Sequence, residues 1–274
     1  MIPKANITAF RKTAPWGEDW QVEQDLILSR MLVELFSRPS IAEQTAFRGG
    51  TALHKLFFVT PGRYSEDIDL VQRSAAPIGP LIDEIRDVLD PWLGQPNWKV
   101  GKGRFTLLYR FETTMAPVVR SRVKLEINTR EHFTVHGFAH RSFEVANNWF
   151  SGSAEIATYT LPELMGTKLR ALYQRKKGRD LFDLDMAIGH PEFDSERLLE
   201  AFAAYMTFGD TPVTRAQFEE NMTAKIAESR FLNDVPPLLR TGIVYEPTKA
   251  WTRVHSVLVS RLPGDPWDGL GDSE

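Results

Sequence analysis

The feature that most constrains this chain is a pair of alternating carboxylates placed shortly after a glycine turn. In Ser65-Glu66-Asp67-Ile68-Asp69-Leu70 the alternation predicts a strand over residues 65–71. Period 2 puts Asp67 and Asp69 on one face and turns Ile68 and Leu70 toward a core. Two carboxylates side by side repel each other unless a cation lies between them. Upstream, residues 45–48 predict a short strand that runs into Gly49-Gly50-Thr51. Residues 51–58 follow as a helix, with Ala52, Leu53, Leu56 and Phe57 on one face. A strand-to-helix junction offers unpaired backbone N–H groups and the positive end of a helix dipole. Two glycines let a phosphate approach the backbone, and Thr51 adds a hydroxyl. Gly49, Gly50 and Thr51 are therefore candidate phosphate-binding residues. Asp67 and Asp69 are candidate ligands for Mg²⁺, which takes one or two carboxylates together with substrate phosphates. The plainer alternative is an ordinary turn followed by a solvated strand face.

Around this core the chain reads as two parts. An amphipathic helix is expected over residues 20–37, ended by Arg38-Pro39-Ser40, and another over 80–93. Strand patterns recur near 105–112, 119–128 and 155–159. From Leu161 onward helical patterns dominate to about residue 239, and the tail beyond Pro263 is rich in Gly, Pro and Asp. The expected organisation is an α/β (α+β) domain over 1–158 and a mainly helical domain over 159–274. The 274 residues suffice for a core without staples. The absence of cysteine excludes disulfides, thiolate ligands and a cysteine nucleophile, and fits a reducing cytoplasm. No apolar run of signal-peptide length opens the chain, and none approaches the roughly 18 residues that a membrane helix needs. The formal net charge is −3, so any nucleic-acid binding must use a local basic patch.

Two later segments supply further candidates. In Arg122-Val123-Lys124-Leu125-Glu126-Ile127-Asn128, alternation places Glu126 with Lys124 and Asn128, opposite the apolar residues. Glu126 is either a third acid or a surface residue of an amphipathic strand. Thr160-Leu161-Pro162-Glu163 has the spacing of a capping box and opens a helix whose apolar stripe is Leu161, Met165, Leu169 and Leu172. Lys168 lies beside that stripe and either snorkels or aims its ammonium into a cleft. Arg175 falls near the same face. From Lys168 to Arg179 there are six basic residues and no acidic one, the local patch that polyphosphate or RNA would require. Asp180 is placed to cap the next helix, with Asp183 one turn later. His132, His136 and His140 recur every four residues, but Phe133, Val135, Gly137 and Phe138 read as strand and loop, so no histidine metal site is expected. No Gly-x-Ser-x-Gly elbow occurs.

Gly-Gly-Thr, a helix and then Asp-x-Asp on the next strand resemble the nucleotidyltransferase superfamily with a polymerase-beta-like fold. The ordered set Gly49-Gly50-Thr51-Ala52-Leu53, Arg63 to Leu70, Lys168 to Leu172 and Lys177 to Leu184 narrows this, and resembles the AbiEii/AbiGii toxin family, to which the MenT toxins belong. The resemblance spans residues 45–190, about half the chain. It departs from the superfamily pattern in the fifteen residues separating Thr51 from Asp67, which implies a longer helix between them, and in Thr replacing Ser. The family implies a polymerase-beta-like core with a mixed sheet followed by a helical C-terminal domain. It implies Mg²⁺, a nucleoside triphosphate donor, an RNA acceptor such as the tRNA 3′ end, and a cognate AbiEi-like antitoxin in a toxin–antitoxin or phage-defence pair. By the same resemblance Asp67 and Asp69 hold metal, Thr51 and Ser65 contact the nucleotide, Lys168 and Arg175 hold the triphosphate, and Asp180 completes the active site. Glu126 either adds a metal ligand or takes the acceptor proton, or has no catalytic part. Two other functions fit the same residues: a nucleotidyltransferase acting on a small molecule such as an antibiotic, and a nucleotide- or partner-binding module without catalysis.

Overall fold

The computed structural model describes residues 2–269, which form two compact units that divide between Tyr159 and Thr160. The first unit opens with helices α1 (Lys4–Phe10), α2 (Asp19–Phe36) and α3 (Pro39–Gln44). Strand β1 (Thr45–Arg48) then runs directly into α4 (Gly49–Leu56), and β2 (Asp67–Gln72) and α5 (Ile78–Leu93) follow. Strands β3 (Asn97–Gly101), β4 (Arg104–Glu112), β5 (Arg120–Asn128), β6 (Phe138–Ala146) and β7 (Ser151–Tyr159) complete it. The seven strands form one mixed sheet in the order β3-β4-β5-β2-β1-β7-β6. β2 pairs parallel with β5 and β1 parallel with β7, and the remaining pairs are antiparallel.

Alternation along the central strands separates two faces. Ile68, Leu70, Leu107, Tyr109, Val123, Leu125 and Ile127 are buried on one of them. Helix α2 packs there and is buried around most of its circumference, so its polar residues must find partners. Gln24 donates to the Arg122 carbonyl (2.8 Å), Glu23 accepts from the Thr114 N–H (2.8 Å), and Asp25 takes the Trp16 indole N–H (3.0 Å) and the Lys55 ammonium (2.7 Å). The last contact ties α4 to α2. Tyr109 Oη donates to Asp90 of α5 (2.9 Å), fixing that helix on the same face.

The second unit consists mainly of α6 (Leu161–Gln174), α7 (Gly178–Ile188), α8 (Ser195–Phe208), α9 (Arg215–Ile226), the single turn α10 (Ser229–Leu232) and α11 (Pro247–Val257). Gly166 lets α6 and α8 meet: a Cβ there would lie 2.8 Å from Ala201 Cβ and 2.9 Å from the Leu198 carbonyl oxygen.

Several local expectations are corrected. The long spacer between Thr51 and Asp67 is not a longer helix, because α4 ends at Leu56 and the remainder is loop. Pro39, expected only to end a helix, also begins α3 from its first position. Thr160 precedes α6 but its side chain makes no cap hydrogen bond, so the capping box does not form. Asp180 is not an N-cap: α7 begins at Gly178 with Lys177 as the cap residue, and Asp180 lies inside the first turn.

Candidate active site

In the first unit the glycine turn and the aspartates are brought together by sheet register. Arg48, the last residue of β1, pairs with Asp69 of β2, and Asp69 pairs in turn with Glu126 of β5. Gly49 adopts φ +84°, a conformation costly for residues with a side chain. A Cβ at Gly49 would come within 2.4 Å of Asp69 Oδ2. The glycine thus turns the chain and leaves room for the carboxylate against the start of α4. Gly50 is buried in the first turn. Thr51 Oγ1 donates to the Asp67 carbonyl oxygen (2.5 Å) and pairs with Ser65 Oγ (2.7 Å). Its hydroxyl therefore braces the entry to β2, holding Ser65 and Asp67 to the glycine turn.

Asp67 and Asp69 share the face of β2 that the alternation predicts. The residue opposite Asp67 on β5 is Lys124. Its Nζ lies 2.9 Å from Asp67 Oδ2 and 3.9 Å from Glu126 Oε2. Burial would lower the Lys124 pKa, but Asp67, Asp69 and Glu126 together raise it. Asp67 is pushed up to about 6, chiefly by burial; Lys124 opposes the shift, while Asp69 and Glu66 add to it. Glu126 also lies 4.0 Å from Arg104 Nη1. Among the described residues no three acidic or histidine side chains converge on a single ion position. The donor set nevertheless fits a divalent cation: two carboxylates on one strand face, with a protein ammonium already standing where positive charge is needed.

The candidates of the second unit form their own network. Lys168 is buried, with Nζ 3.1 Å from Asp180 Oδ1 and 2.8 Å from Asp183 Oδ2. Arg175 grips Asp180 with two hydrogen bonds, of 2.7 and 2.8 Å, while its own side chain remains 53% exposed. Burial alone would raise the Asp180 pKa; Lys168 and Arg175 outweigh it and hold the carboxyl below its usual range. The Lys168 ammonium is thus committed to two buried carboxylates rather than facing an open surface.

The basic run from 168 to 179, read as a free patch, is paired with carboxylates at most of its positions. Arg170 lies 5.0 Å from the Tyr205 ring centroid, Lys176 pairs with Glu228, and Lys177 and Arg179 reach Asp234 at 3.9 and 3.0 Å. His132 and His136 lie in the loop before β6 and His140 on β6, so their four-residue spacing places no common helical face. Sequence reasoning passed over Lys124 and Asp183 as site residues. Alternation had set Lys124 on the Glu126 face, but only the parallel register of β2 and β5 places it beside Asp67.

A mixed sheet in which a strand breaks at Gly-Gly into a helix, and the next strand carries paired aspartates, defines a nucleotidyltransferase. The comparisons with known proteins agree. The sequence matches the family described as "Nucleotidyl transferase AbiEii toxin, Type IV TA system" over residues 30–252. The protein belongs to this family of nucleotidyltransferase toxins. The fold is similar to that of the nucleotidyltransferase toxin MenT4 from Mycobacterium tuberculosis H37Rv, with a TM-score of 0.66 and 18% identity over 94% of this chain and 91% of that one. It is also similar to JHP933 from Helicobacter pylori, with a TM-score of 0.54 and 16% identity over 88% and 90% of the two chains. A putative nucleotidyltransferase from H. pylori gives 0.52 and 16% over 88% and 93%. No curated protein matches the sequence. Among the described residues no helix is long and apolar enough to cross a membrane.

Proposed function

We propose that this nucleotidyltransferase moves a nucleotidyl group from a nucleoside triphosphate to an RNA acceptor, the 3′ end of a tRNA, with Mg²⁺ held by Asp67 and Asp69. In this reading it is the toxin of a toxin–antitoxin pair acting in the cytoplasm, with phage defence as the role and a cognate antitoxin as partner. The observation that carries the site is the sharing of one strand face by Asp67 and Asp69, beside the Gly49 turn, with a cation already drawn to them.

The reaction is in-line attack of the acceptor hydroxyl on the α-phosphorus: a new P–O bond forms, the bond to the β-phosphate bridge breaks, and pyrophosphate leaves. When bound, Mg²⁺ supplies charge neutralisation at the phosphoryl oxygens. The backbone N–H groups at Gly49 and Gly50 orient phosphate oxygens at the start of α4. Thr51 and Ser65 hold the turn in register with Asp67, so that the carboxylates are positioned before substrate arrives. Glu126, lying next to Asp69 in register, is placed to accept the acceptor's proton or to add a ligand. Within the second unit, Lys168, Asp180 and Asp183 set the position of Arg175, whose exposed guanidinium suits a phosphate group.

The test is incorporation of labelled nucleotide into tRNA by the wild type, Asp67→Asn and Asp69→Asn. Transfer is expected to fall by roughly 10³-fold or more in each variant, as when a principal electrostatic group at a reacting centre is removed. Melting temperatures should hold or rise, because a like-charge pair is relieved. Expression of the wild type without its antitoxin should slow bacterial growth, and Asp69→Asn should restore it. Either variant transferring nucleotide at the wild-type rate refutes the site.

A further inference from the structure

The carboxylates do not stand alone on their face of the sheet. The register that puts Lys124 opposite Leu108 also puts Arg122 opposite Arg110, and Arg120 opposite Glu112. Lys99 of β3 faces Thr106, and Arg104 faces Asn128, on the same side. Lys99, Arg104, Arg110, Arg120 and Arg122 are all exposed. Helices α2 and α5 occupy the other face, as the Gln24 and Tyr109 hydrogen bonds record. The result is an open, cationic strip on β3, β4 and β5 that leads to Asp67 and Asp69.

Compensation on this strip is slight. Arg104 and Arg120 lie 4.0 and 3.8 Å from Glu126 and Glu112, at the outer limit of an ion pair and with largely exposed side chains. Lys99, Arg110 and Arg122 have no carboxylate partner among the described residues. Two arginines directly opposite each other across antiparallel strands repel and cost stability. That cost turns into a gain once an anion lies between them. A guanidinium pair also suits phosphate, which it can grip with paired N–H donors. In the basic run 168–179, by contrast, Lys168, Arg175, Lys176 and Arg179 each hold a carboxylate within about 3 Å, which leaves less unanswered charge there for a polyanion.

We infer that the β3–β4–β5 face, centred on the Arg110–Arg122 pair, carries the phosphate backbone of the acceptor RNA as its end enters the site. The inference rests on the RNA-acceptor reading. Arg122 precedes Lys124 by two residues, so the pair stands about 7 Å along the strand from the position opposite Asp67. A strand whose terminal hydroxyl reaches the aspartates would therefore set its next phosphates against these arginines.

The experiment is a titration of tRNA against the full-length wild type and the double variant Arg110→Gln/Arg122→Gln at several potassium chloride concentrations. Nucleoside triphosphate binding and the melting temperature are followed in parallel. Losing two phosphate contacts should reduce the slope of log affinity against log salt by about 1.4, and weaken binding at low salt by roughly thirty-fold. The single variant Arg110→Gln should show about half that change in slope. Triphosphate affinity should be retained, and the melting temperature should hold or rise with the repulsion gone. Wild-type tRNA binding with an unaltered slope in the double variant would overturn the surface and leave the acceptor reading standing. A wild type that transfers nucleotide to another acceptor yet binds no RNA would overturn both.

Discussion

At the scale of single residues, the sheet keeps three carboxylates on one face. Asp67, Asp69 and Glu126 would repel one another, and Lys124 answers that repulsion from the adjoining strand. Its ammonium thereby competes for the place that a divalent cation would take. Lys124→Met keeps most of the stem and removes the charge. Without divalent metal its melting temperature should fall below that of the wild type, by an amount corresponding to roughly 1 kcal/mol or less for a partly exposed pair. Added Mg²⁺ or Mn²⁺ should raise the melting temperature of the variant more than that of the wild type, since a neutral side chain leaves the carboxylates to the metal. Equal shifts in the two proteins would show that Lys124 and the ion do not share a place. Gly49 is the other decisive residue, because any Cβ there collides with Asp69.

At the scale of elements, boundaries follow local chemistry and close approaches follow packing. The strand–glycine–helix junction and the alternation of β2 were legible because both are properties of consecutive residues. β3 escaped notice because Asn97 to Val100 are exposed on both faces, so no buried side imposes a period. In β6 Phe138 falls on the opposite parity from Phe143 and Val145, which breaks the alternation. The role of Asp180 was hidden for a related reason. Its position suggested a cap, whereas α7 already begins at Gly178, and Asp180 lies inside the first turn, paired with Lys168 and Arg175. The crossing of α6 and α8 yields a direct prediction. Gly166→Ala adds a methyl group within 2.9 Å of α8 backbone atoms, which cannot swing aside as a side-chain end would. Overpacking of this kind costs about 1–3 kcal/mol, more than alanine's helix propensity of roughly 1 kcal/mol returns. A urea titration following the second unit should record the loss, and a variant as stable as the wild type would mean that the two helices can separate.

At the scale of the whole molecule, each unit closes on long-range polar contacts. In the second, Glu219 of α9 joins Arg215 (2.7 Å), His255 of α11 (2.6 Å) and the Trp267 N–H (2.7 Å). Burial would raise the carboxyl pKa, but these hydrogen bonds outweigh it and hold it at about 2. A carboxyl depressed in the folded state contributes stability that is complete above its unfolded value near 4.5. That contribution is lost as pH falls from there through 2. Acid titration of melting temperature should therefore show a loss over this window that Glu219→Gln flattens, the variant being less stable at neutral pH. A parallel pH profile in the two proteins would remove Glu219 from the account.

The sequence by itself determined the pairing of Asp67 with Asp69 on one face, the glycine turn before them and the order of motifs that marks the family, because each depends on a local period or a short spacing. Tertiary structure alone decided which charges are free. The cations of the 168–179 run are answered partly by Glu228 and Asp234, which lie 52 and 55 residues beyond Lys176 and Arg179. The Arg110–Arg122 pair is left unanswered by the register of two strands. Local periodicity places a charge on a face, but its partner arrives from a distant segment through strand pairing and helix packing, and that partner decides whether the charge is available to a ligand.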